Sequence, residues 1–395
     1  MVTISSSPGA SRTATATSDI SREAPVSPSR KRRRASPEWE GRTIIKIAAL
    51  PGRGVYVRHL GHPEGVDGVH RPTVQMPGSA PKPPAAFDPA WLQTHLGDMQ
   101  IVHVHALAPR MSAEHVKAAV QATRDAGRPL IVTAYHLSDP TGLDEAGYAA
   151  QLDVLIPAAD QVVTLTESAA KEIAKRWKVT AQVQPHPHAV DFVRMRRERP
   201  ARGQSGPYLV GVHLGSLRLP SDPVKVVSAL AEAAKRTPDV RLVLFAHDHL
   251  LDPDSTRYDP ATIREIDRIV NSVGGTLRAH RPMTDSQLWD NIFGLDAALV
   301  PPFFGSHSLW PEACYDLGTQ AIMPANSHAS SQRSALTYTC DRAGIPDVSS
   351  LAKAFAEAVR APQAERADPT ARFNERVAIA EWLRNTYESL LDEKA

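Results

Sequence analysis

The amino-acid sequence predicts an α/β protein built from two doubly wound, Rossmann-like domains. Short apolar, β-branched runs alternate with helical stretches along most of the chain, a pattern typical of parallel sheets covered by helices. A polar, arginine-rich stretch at about 194–205 interrupts this alternation once, and the alternation then starts again. With 395 residues, the chain is long enough for two domains.

Composition narrows the class of protein. Hydrophobic residues make up 42% and charged residues 22%, so most of the chain can bury a core. The net charge of +2 gives no general reason to expect nucleic acid or an anionic membrane as partner. The two cysteines, Cys314 and Cys340, cannot form a disulfide framework and favour a reducing compartment.

The sequence shows neither a membrane-spanning segment nor a secretory signal. No apolar run reaches the roughly 18–20 residues of a membrane-spanning helix. The N-terminus lacks a charged start followed by an apolar stretch, so no secretory signal is predicted. The sequence therefore predicts a soluble, cytoplasmic protein, and contact with a membrane surface stays open.

Residues 1–40 are rich in Ser, Thr, Ala, Pro and Arg and have almost no large apolar side chains. Such a segment cannot bury enough surface to offset its ordering entropy, so we predict a disordered tail. It contains a basic run, Arg30 to Arg34. This run is either a solubilising feature or a contact for phosphates, nucleic acid or acidic lipid.

The first series of elements, over 41–200, is the predicted N-terminal domain. Its expected strands span about 43–50, 73–76, 100–105, 129–135, 161–165 and 181–184. Its expected helices span about 112–126, 145–156 and 166–177, after a short helical stretch through Tyr56 and Leu60. Ser112 and Thr166 are typical helix-capping residues at the starts of two of these helices.

The second series, over 206–370, is the predicted C-terminal domain. Its expected strands span about 208–214, 240–246, 276–279, 297–301 and 321–324, and its expected helices 223–235, 261–272, 286–293 and 311–317. A last segment, 371–395, contains a helix over about 371–392 that we expect to pack back toward the N-terminal domain. Because ligands of such sheets bind at the carboxyl ends of the strands, the cleft between the domains is the expected site.

Four segments, in this order, match the motifs of a known family. Residues 159–168 follow the pattern of an aspartate, an apolar strand, a small hydroxyl residue and a helix. Residues 182–191 resemble a strand followed by a Pro-Asn-Gly-Val-Asp turn, and 295–302 a strand that enters a donor site. Residues 309–324 resemble a donor-site helix followed by Gly-Thr-Pro-Val-Ile-Ala. Together they resemble the retaining GT-B glycosyltransferases of the family-4 type, over nearly the whole chain after the tail.

The resemblance implies an enzyme that moves a sugar from a nucleotide-diphosphate donor to an acceptor hydroxyl, with retention and without a metal cofactor. It implies that the domain over 41–200 faces the acceptor and that the domain over 206–370 binds the donor. It implies a catalytic-site role for His136, which follows a strand and can bond a sugar hydroxyl. It also implies a set of donor-binding residues: Gly52, Gly54, Arg218, Lys225, His307, Ser308 and Glu312. The acceptor stays open between lipid, polysaccharide and small molecule.

The residue types in this set suit that chemistry. Gly52 and Gly54 lie in a loop between a strand and a helix, where backbone can approach a phosphate closely, although an ordinary tight turn has the same composition. Arg218 can neutralise a diphosphate, and Lys225 lies four residues after the position that usually holds a lysine. Glu312 opens a helix behind Pro311, where it either accepts hydroxyl hydrogen bonds or complements the helix dipole.

The chain departs from the family pattern at the acidic pair. The family usually has two glutamates spaced Glu-x7-Glu, whereas here Glu312 is one residue out of register and 304–308 contains no acidic residue. His307 and Ser308 are candidates to replace the missing carboxylate. The departure keeps a second hypothesis open, a GT-B-like binding or scaffold protein without catalytic activity.

Two other functions have weaker support in the sequence. Asp252 and Asp254 match the Asp-x-Asp motif of metal-dependent transferases, and His247 and His249 lie nearby, but no third well-spaced ligand is present, so no metal is expected. A sugar-nucleotide epimerase of similar architecture needs more acid and base groups near Glu312 and His136. Nucleic-acid binding through the tail is a further alternative and is not expected.

Overall fold

Two parallel sheets form the framework of the protein. The structure is a computed structural model that describes residues 43–52, 54–72, 87–107, 111–199, 206–361 and 364–394. The predicted disordered tail with Arg30 to Arg34, the predicted strand at 73–76 and the residue between Gly52 and Gly54 lie outside the described residues. So does the predicted boundary between 200 and 206.

The first sheet has six described strands in the order β2-β1-β3-β4-β5-β6, all parallel. These strands are β1 (Ile45–Leu50), β2 (Val69–His70), β3 (Ile101–Val104), β4 (Leu130–Thr133), β5 (Gln161–Thr164) and β6 (Ala181–Val183). The helices of this half are α1 (Val55–Arg58), α2 (Pro89–His95), α3 (Ala113–Asp125), α4 (Glu145–Ala158), α5 (Glu167–Trp177) and α6 (Phe192–Met195).

The second sheet has the order β12-β11-β10-β7-β8-β9 and is also parallel. Its strands are β7 (Tyr208–Gly215), β8 (Val240–His247), β9 (Thr276–His280), β10 (Ala297–Leu299), β11 (Gln320–Pro324) and β12 (Leu336–Tyr338). Its helices are α7 (Pro223–Lys235), α8 (Pro260–Asn271), α9 (Asp285–Phe293), α10 (Trp310–Leu317) and α11 (Val348–Arg360).

Helix ends follow the capping residues that the sequence displays. The Ser112 hydroxyl accepts the backbone N–H of His115, and the Thr166 hydroxyl accepts that of Ala169, so α3 and α5 begin where the sequence predicts. Helix α5 ends at Lys178, which takes a left-handed conformation.

The last helix, α12 (Pro369–Asp392), returns to the first sheet. Its apolar residues Ile379, Leu383 and Tyr387 belong to one buried cluster with Ile47 and Ile101 of β1 and β3. The prediction of two doubly wound α/β domains, with a C-terminal helix packed back on the N-terminal one, is confirmed. In the described part of the chain, no helix is both long and apolar enough to cross a membrane.

Some elements were not predicted or begin elsewhere. Helix α12 begins two residues earlier than expected because Asp368 caps it and Pro369 occupies its first turn. Helix α2 and helix α11 are absent from the prediction, although Asp88 and Asp347 cap them with side-chain hydrogen bonds.

Candidate functional site in the interdomain cleft

The carboxyl ends of the two sheets meet at a cleft, where loops of both domains contact each other. The Ser306 backbone N–H donates to Nδ1 of His136 at 3.1 Å, and the Leu137 N–H donates to the Ser306 hydroxyl at 2.8 Å. Arg218 Nη2 donates to the carbonyl of Thr141 at 3.1 Å. We call these five residues, His136, Leu137, Thr141, Arg218 and Ser306, the cleft junction.

Two glycines allow the loops of the cleft junction to approach this closely. Gly142 has a φ of 64°, and a Cβ there would lie 2.1 Å from the ring of Phe304. Gly305 has a φ of 86°, and a Cβ there would lie 2.6 Å from Nδ1 of His136. Any larger residue would push the loops apart as well as strain the backbone.

A cavity of about 310 Å³ opens beside this junction, at the carboxyl ends of β7 and β10. Arg218 and Ser308 line it together with His213, Phe303 and Trp310. The His213 ring lies 4.8 Å from the Trp310 ring, measured between centroids, so one wall of the cavity is aromatic. The cavity therefore combines a guanidinium, a hydroxyl and aromatic surface.

The turn after β7 places Arg218 in this cavity. Gly215 has a φ of 54° and Leu217 a φ of 57°, so two residues of this short turn are left-handed. A left-handed conformation is unusual for leucine and is found mostly where the surrounding structure enforces it. Arg218 itself is exposed, so most of its guanidinium is available to a ligand.

The other predicted donor-binding residues lie elsewhere. Lys225 is exposed on α7 and does not line the cavity. Gly52 and Gly54 follow β1 at the carboxyl edge of the first sheet, and Gly54 precedes α1 with a φ of 128°. The structure thus brings Arg218 and Ser308 together and leaves these three residues outside the cavity, where their donor-binding roles stay predictions.

Both ring nitrogens of His307 form hydrogen bonds with residues of the first domain. Its Nδ1 lies 2.7 Å from the carbonyl oxygen of Tyr135, which can only accept, so Nδ1 carries the proton. Its Nε2 then accepts from the Thr166 hydroxyl at 3.0 Å. Burial lowers the pKa of His307 to about 4, so the ring is neutral at physiological pH. A donor contact for His307 stays a prediction and would have to replace one of these bonds.

Glu312 lies in a buried network of charges. Its side chain is 1% exposed, and Oε2 accepts from Arg333 Nε and Arg372 Nη2, both at 2.8 Å. The pKa of Glu312 is raised, because the effect of burial exceeds the opposite effect of the two guanidinium groups. Its other oxygen, Oε1, lies 3.5 Å from the Gln332 amide nitrogen, a weak contact. The predicted contact with donor hydroxyls stays a prediction and would require this buried side chain to become accessible.

The same network connects α10 and α12 to Ala189 and Val190, which lie where the chain passes from the first domain to the second. Arg372 Nε donates to Asp316 at 2.8 Å, and the other carboxylate oxygen of Asp316 accepts the backbone N–H groups of Ala189 and Val190 at 2.7 and 3.0 Å. Burial raises the pKa of Asp316 to about 6. We call Ala189, Val190, Glu312, Asp316 and Arg372 the crossover junction.

A second group of polar residues lies buried beneath the cleft, in the first sheet. His103 Nε2 and Nδ1 lie 2.9 Å from the hydroxyls of Thr133 and Tyr387, and His105 Nδ1 lies 3.3 Å from that of Thr133. Burial lowers the pKa of His103 well below its usual value and that of His105 to about 3. The alternation of these histidines along β3 indicates a shared face, but their partner on α12 is distant in sequence and could not be predicted.

Within the described residues, no group of three or more His, Cys, Asp and Glu side chains is arranged to hold a metal ion. In the Asp252–Asp254 loop, the Asp252 carboxylate accepts the backbone N–H of Asp254 at 3.0 Å. That contact is a local turn bond, common for aspartate.

Comparison with known proteins identifies the architecture. No protein-family model matches the chain, and no curated protein matches it in sequence. Sucrose-phosphate synthase from Thermosynechococcus elongatus matches in structure with a TM-score of 0.60 and 17% identity, over 89% of this chain and 100% of that one. Anabaena HepE in complex with UDP and glucose matches with a TM-score of 0.55 and 13% identity, over 87% and 100%.

A third match is the α,α-trehalose 6-phosphate synthase of Burkholderia multivorans, with a TM-score of 0.51 and 15% identity, over 77% of this chain and 75% of that one. Structural matches at identities this low establish the fold and do not establish the substrates. The two parallel sheets facing each other across a cleft, together with these matches, show that the chain has the GT-B fold.

Proposed function

We propose that this protein is a glycosyltransferase that moves a sugar from a nucleotide-diphosphate donor to an acceptor hydroxyl. The observation that carries the proposal is the cavity of about 310 Å³, which lies where GT-B domains face each other and presents Arg218 and Ser308 together. The motif resemblance to the retaining family-4 type supports retention at the anomeric carbon. The proposed place of action is the cytoplasm.

The mechanism depends mainly on charge stabilisation. The leaving nucleoside diphosphate gains negative charge as the glycosidic bond breaks, and Arg218 lies in position to neutralise it. This contact supplies the charge that a metal ion supplies in other transferases, so the proposal includes no metal. The Ser308 hydroxyl adds a neutral hydrogen-bonding group on the same wall.

Closure of the cleft serves the same reaction. Arg218 also donates to Thr141 of the opposite domain, so one side chain joins the donor cavity to the cleft junction. A closed cleft excludes water and limits hydrolysis of the donor. Front-side displacement by the acceptor hydroxyl is the proposed route to retention.

Calorimetric titration of the donor tests the proposal. UDP-glucose is the first probe, since HepE, which shares the fold, was solved with UDP and glucose; GDP-, ADP- and dTDP-sugars follow. Arg218→Ala should weaken binding by roughly 10- to 150-fold, the loss of a charge-assisted contact of about 1.5–3 kcal/mol. Lys235→Ala, at the far end of α7, is the matched control and should bind as the wild type does. Equal affinity in all three proteins would contradict the assignment.

A binding protein without transfer activity is the second candidate. The burial of Glu312 beside Arg333 and Arg372 favours it, because a carboxylate that is 1% exposed does not reach donor hydroxyls. Release of free nucleotide from the bound sugar nucleotide separates the two functions. Binding without release, in the presence of a panel of acceptors, would select the second candidate.

A further inference from the structure

A second cavity of the second domain lies on the other side of the turn after β7. Its volume is about 660 Å³, within the range of roughly 300–1,000 Å³ that is common for small-molecule sites. It is bounded by the first turns of α7 and α8 and by the connection from β8 to α8. Ser216 lines both this cavity and the donor cavity, and their other lining residues differ. We call this space the outer cavity.

Hydrogen bonds hold the connection from β8 to α8 in shape. The Ser255 backbone N–H donates to the Asp252 carbonyl at 3.0 Å, and the Tyr258 N–H donates to the Ser255 carbonyl at 3.1 Å. The Asp259 N–H donates to the carbonyl of Leu250 at 2.9 Å, which closes the loop. Tyr258, which lines the outer cavity, is nevertheless 48% exposed. An ordered loop therefore presents an aromatic ring to solvent at the cavity wall.

Two carboxylates line the outer cavity, and each uses one oxygen to cap a helix. Asp222 Oδ1 accepts the backbone N–H groups of Val224 and Lys225 at 2.8 and 3.2 Å, at the start of α7. Asp259 Oδ1 accepts the N–H of Thr262 at 3.2 Å, at the start of α8. In the described part of the chain, Oδ2 of either aspartate makes no hydrogen bond or ion pair. Both second oxygens are therefore available to a ligand.

Hydrogen-bond donors lie on the same walls. The Arg257 guanidinium is exposed and forms no hydrogen bond or ion pair with any described residue, and Thr256 adds an exposed hydroxyl. A guanidinium only donates and a carboxylate only accepts, whereas a hydroxyl does both. The hydroxyl groups of a ligand, which also do both, can therefore bond to each of these groups.

The charges of the outer cavity disfavour ionic ligands. An anion such as a phosphate meets the carboxylates of Asp222 and Asp259, and a cation meets Arg257 and the positive N-terminal ends of α7 and α8. An apolar molecule would leave these polar groups without partners. A neutral molecule with many hydroxyls avoids all three penalties. A sugar ring also has a face of C–H bonds that packs on the face of an aromatic ring.

We propose that the outer cavity is a second binding site, distinct from the donor cavity, that takes a neutral saccharide. Tyr258 packs against one sugar ring. The second oxygens of Asp222 and Asp259 accept from its hydroxyls, and Arg257 donates to them. The inference goes beyond the proposed function, because the outer cavity uses none of the side chains assigned to the donor. Since Ser216 borders both spaces, the saccharide lies one turn of the chain away from the donor cavity.

Saturation-transfer NMR with trisaccharides tests the class of ligand. Cellotriose, maltotriose, chitotriose and mannotriose are the neutral probes, and trigalacturonic acid and the trisaccharide of glucosamine are charged probes of the same size. We expect at least one neutral probe to bind at millimolar concentration, and to bind more tightly than either charged probe. If no neutral probe binds, or if a charged probe binds more tightly, the proposal is wrong.

Substitutions of Tyr258 locate the neutral probe. Tyr258→Ala should weaken its binding about 10-fold, because the aromatic contact and the area that it buries are lost, whereas Tyr258→Phe should bind as the wild type does. Arg218→Ala should leave this binding unchanged, and Tyr258→Ala should leave the affinity for UDP-glucose unchanged. A probe that binds Tyr258→Ala as tightly as the wild type lies elsewhere, and this result would overturn the site.

Removal of the two negative charges tests the electrostatic argument. Asparagine caps a helix about as well as aspartate, so the double variant Asp222→Asn, Asp259→Asn should keep α7 and α8 intact. It should bind the neutral probe roughly 3- to 10-fold more weakly, because bonds to an ionised acceptor are the stronger ones, and trigalacturonic acid more tightly than the wild type does. Unchanged binding of both probes would show that these carboxylates do not face the ligand, and the proposal would fail.

The same measurements separate this inference from the proposed function. If the wild type binds no sugar nucleotide but binds a neutral trisaccharide through Tyr258, the proposed function fails and the outer site stands. If it binds UDP-glucose through Arg218 and no trisaccharide, the proposed function stands and the outer site is wrong.

Discussion

Where the chain crosses between the domains, the contact is built from buried charges, whereas the cleft junction joins neutral groups and one exposed arginine. In the crossover junction, Arg372 is 1% exposed and binds both Glu312 and Asp316. In the cleft junction, Ser306 meets His136 and Leu137 through two hydrogen bonds between neutral groups, and Arg218 adds an exposed bond to a carbonyl.

The difference indicates which contact opens. Separating a buried ion pair costs about 3–5 kcal/mol, because it leaves a charge without a partner, whereas a neutral hydrogen bond contributes about 0.5–1.5 kcal/mol and can be exchanged for water. We therefore expect the domains to part at the cleft junction and to stay joined at the crossover junction, so that substrates enter by a hinge motion.

Acid should produce the largest change, and it acts through buried histidines. Burial lowers the pKa of His105, His136 and His186 to about 3 and that of His307 to about 4. Between these values and about 6.5 the unfolded chain binds more protons than the folded one, so stability falls as pH falls through this window. Each such histidine costs about 1.4 kcal/mol per pH unit below 6.5.

Asp316 of the crossover junction should respond in the opposite direction. Because burial raises the pKa of Asp316 to about 6, the folded state binds the extra proton between its usual pKa and 6, and acidification there stabilises the fold. The histidines outnumber it, so the melting temperature should drop steeply between pH 7 and pH 5. A melting temperature that is constant or higher at pH 5 would show that these histidines are not buried as neutral rings.

The second prediction breaks the charged contact directly. Arg372→Met leaves Glu312 and Asp316 buried without this partner and should lower the free energy of unfolding by about 3–5 kcal/mol, measured with urea. Arg268→Met removes an arginine from an exposed pair with Glu265 on α8 and should leave the urea midpoint unchanged. Similar midpoints for the two variants would remove the distinction between the junctions.

The third prediction concerns the glycine contact over the cleft. Gly142→Ala should cost about 1–3 kcal/mol from overpacking against Phe304, in addition to strain at its positive φ. In a Phe304→Ala background the packing part should disappear, leaving about 1 kcal/mol of strain. Urea unfolding of the four proteins gives the coupling energy, and a coupling near zero would show that these loops do not touch in solution.

The smallest effect is expected at the outer edge of the cleft. Ser168 Oγ lies 2.8 Å from Nδ1 of His328, which reaches across from the second domain. Ser168 is exposed, so Ser168→Ala should lower stability by only about 0.5–1.5 kcal/mol in thermal unfolding. A loss as large as that of Arg372→Met would mean that the neutral contacts hold the domains as firmly as the charged ones.

Local patterns in the sequence were sufficient for most of the fold. Ser112 and Thr166 predict where α3 and α5 begin, because an N-cap acts within three residues of itself. The same rule applied to Asp88 and Asp347 would have found α2 and α11. Arg218 was predicted from the family resemblance, and it lines the cavity after β7, although its role in donor binding stays a prediction.

The contacts that define the site could not be predicted in this way. Glu312 meets Arg333 and Arg372 from 21 and 60 residues away, and Ser306 meets His136 from 170 residues away. Such pairings depend on how separate elements pack, and no periodicity or capping signal encodes them. The sequence therefore located the cleft but not which of its side chains are already occupied by protein partners.

The return of α12 to the first sheet has a consequence for biosynthesis. The sheet face that carries Ile47 and Ile101 is covered by Ile379, Leu383 and Tyr387, which the ribosome makes more than 270 residues later. The second domain is continuous in sequence from β7 to α11 and can mature during translation. The half of the protein that is translated first can thus complete its core only after the last helix has been made.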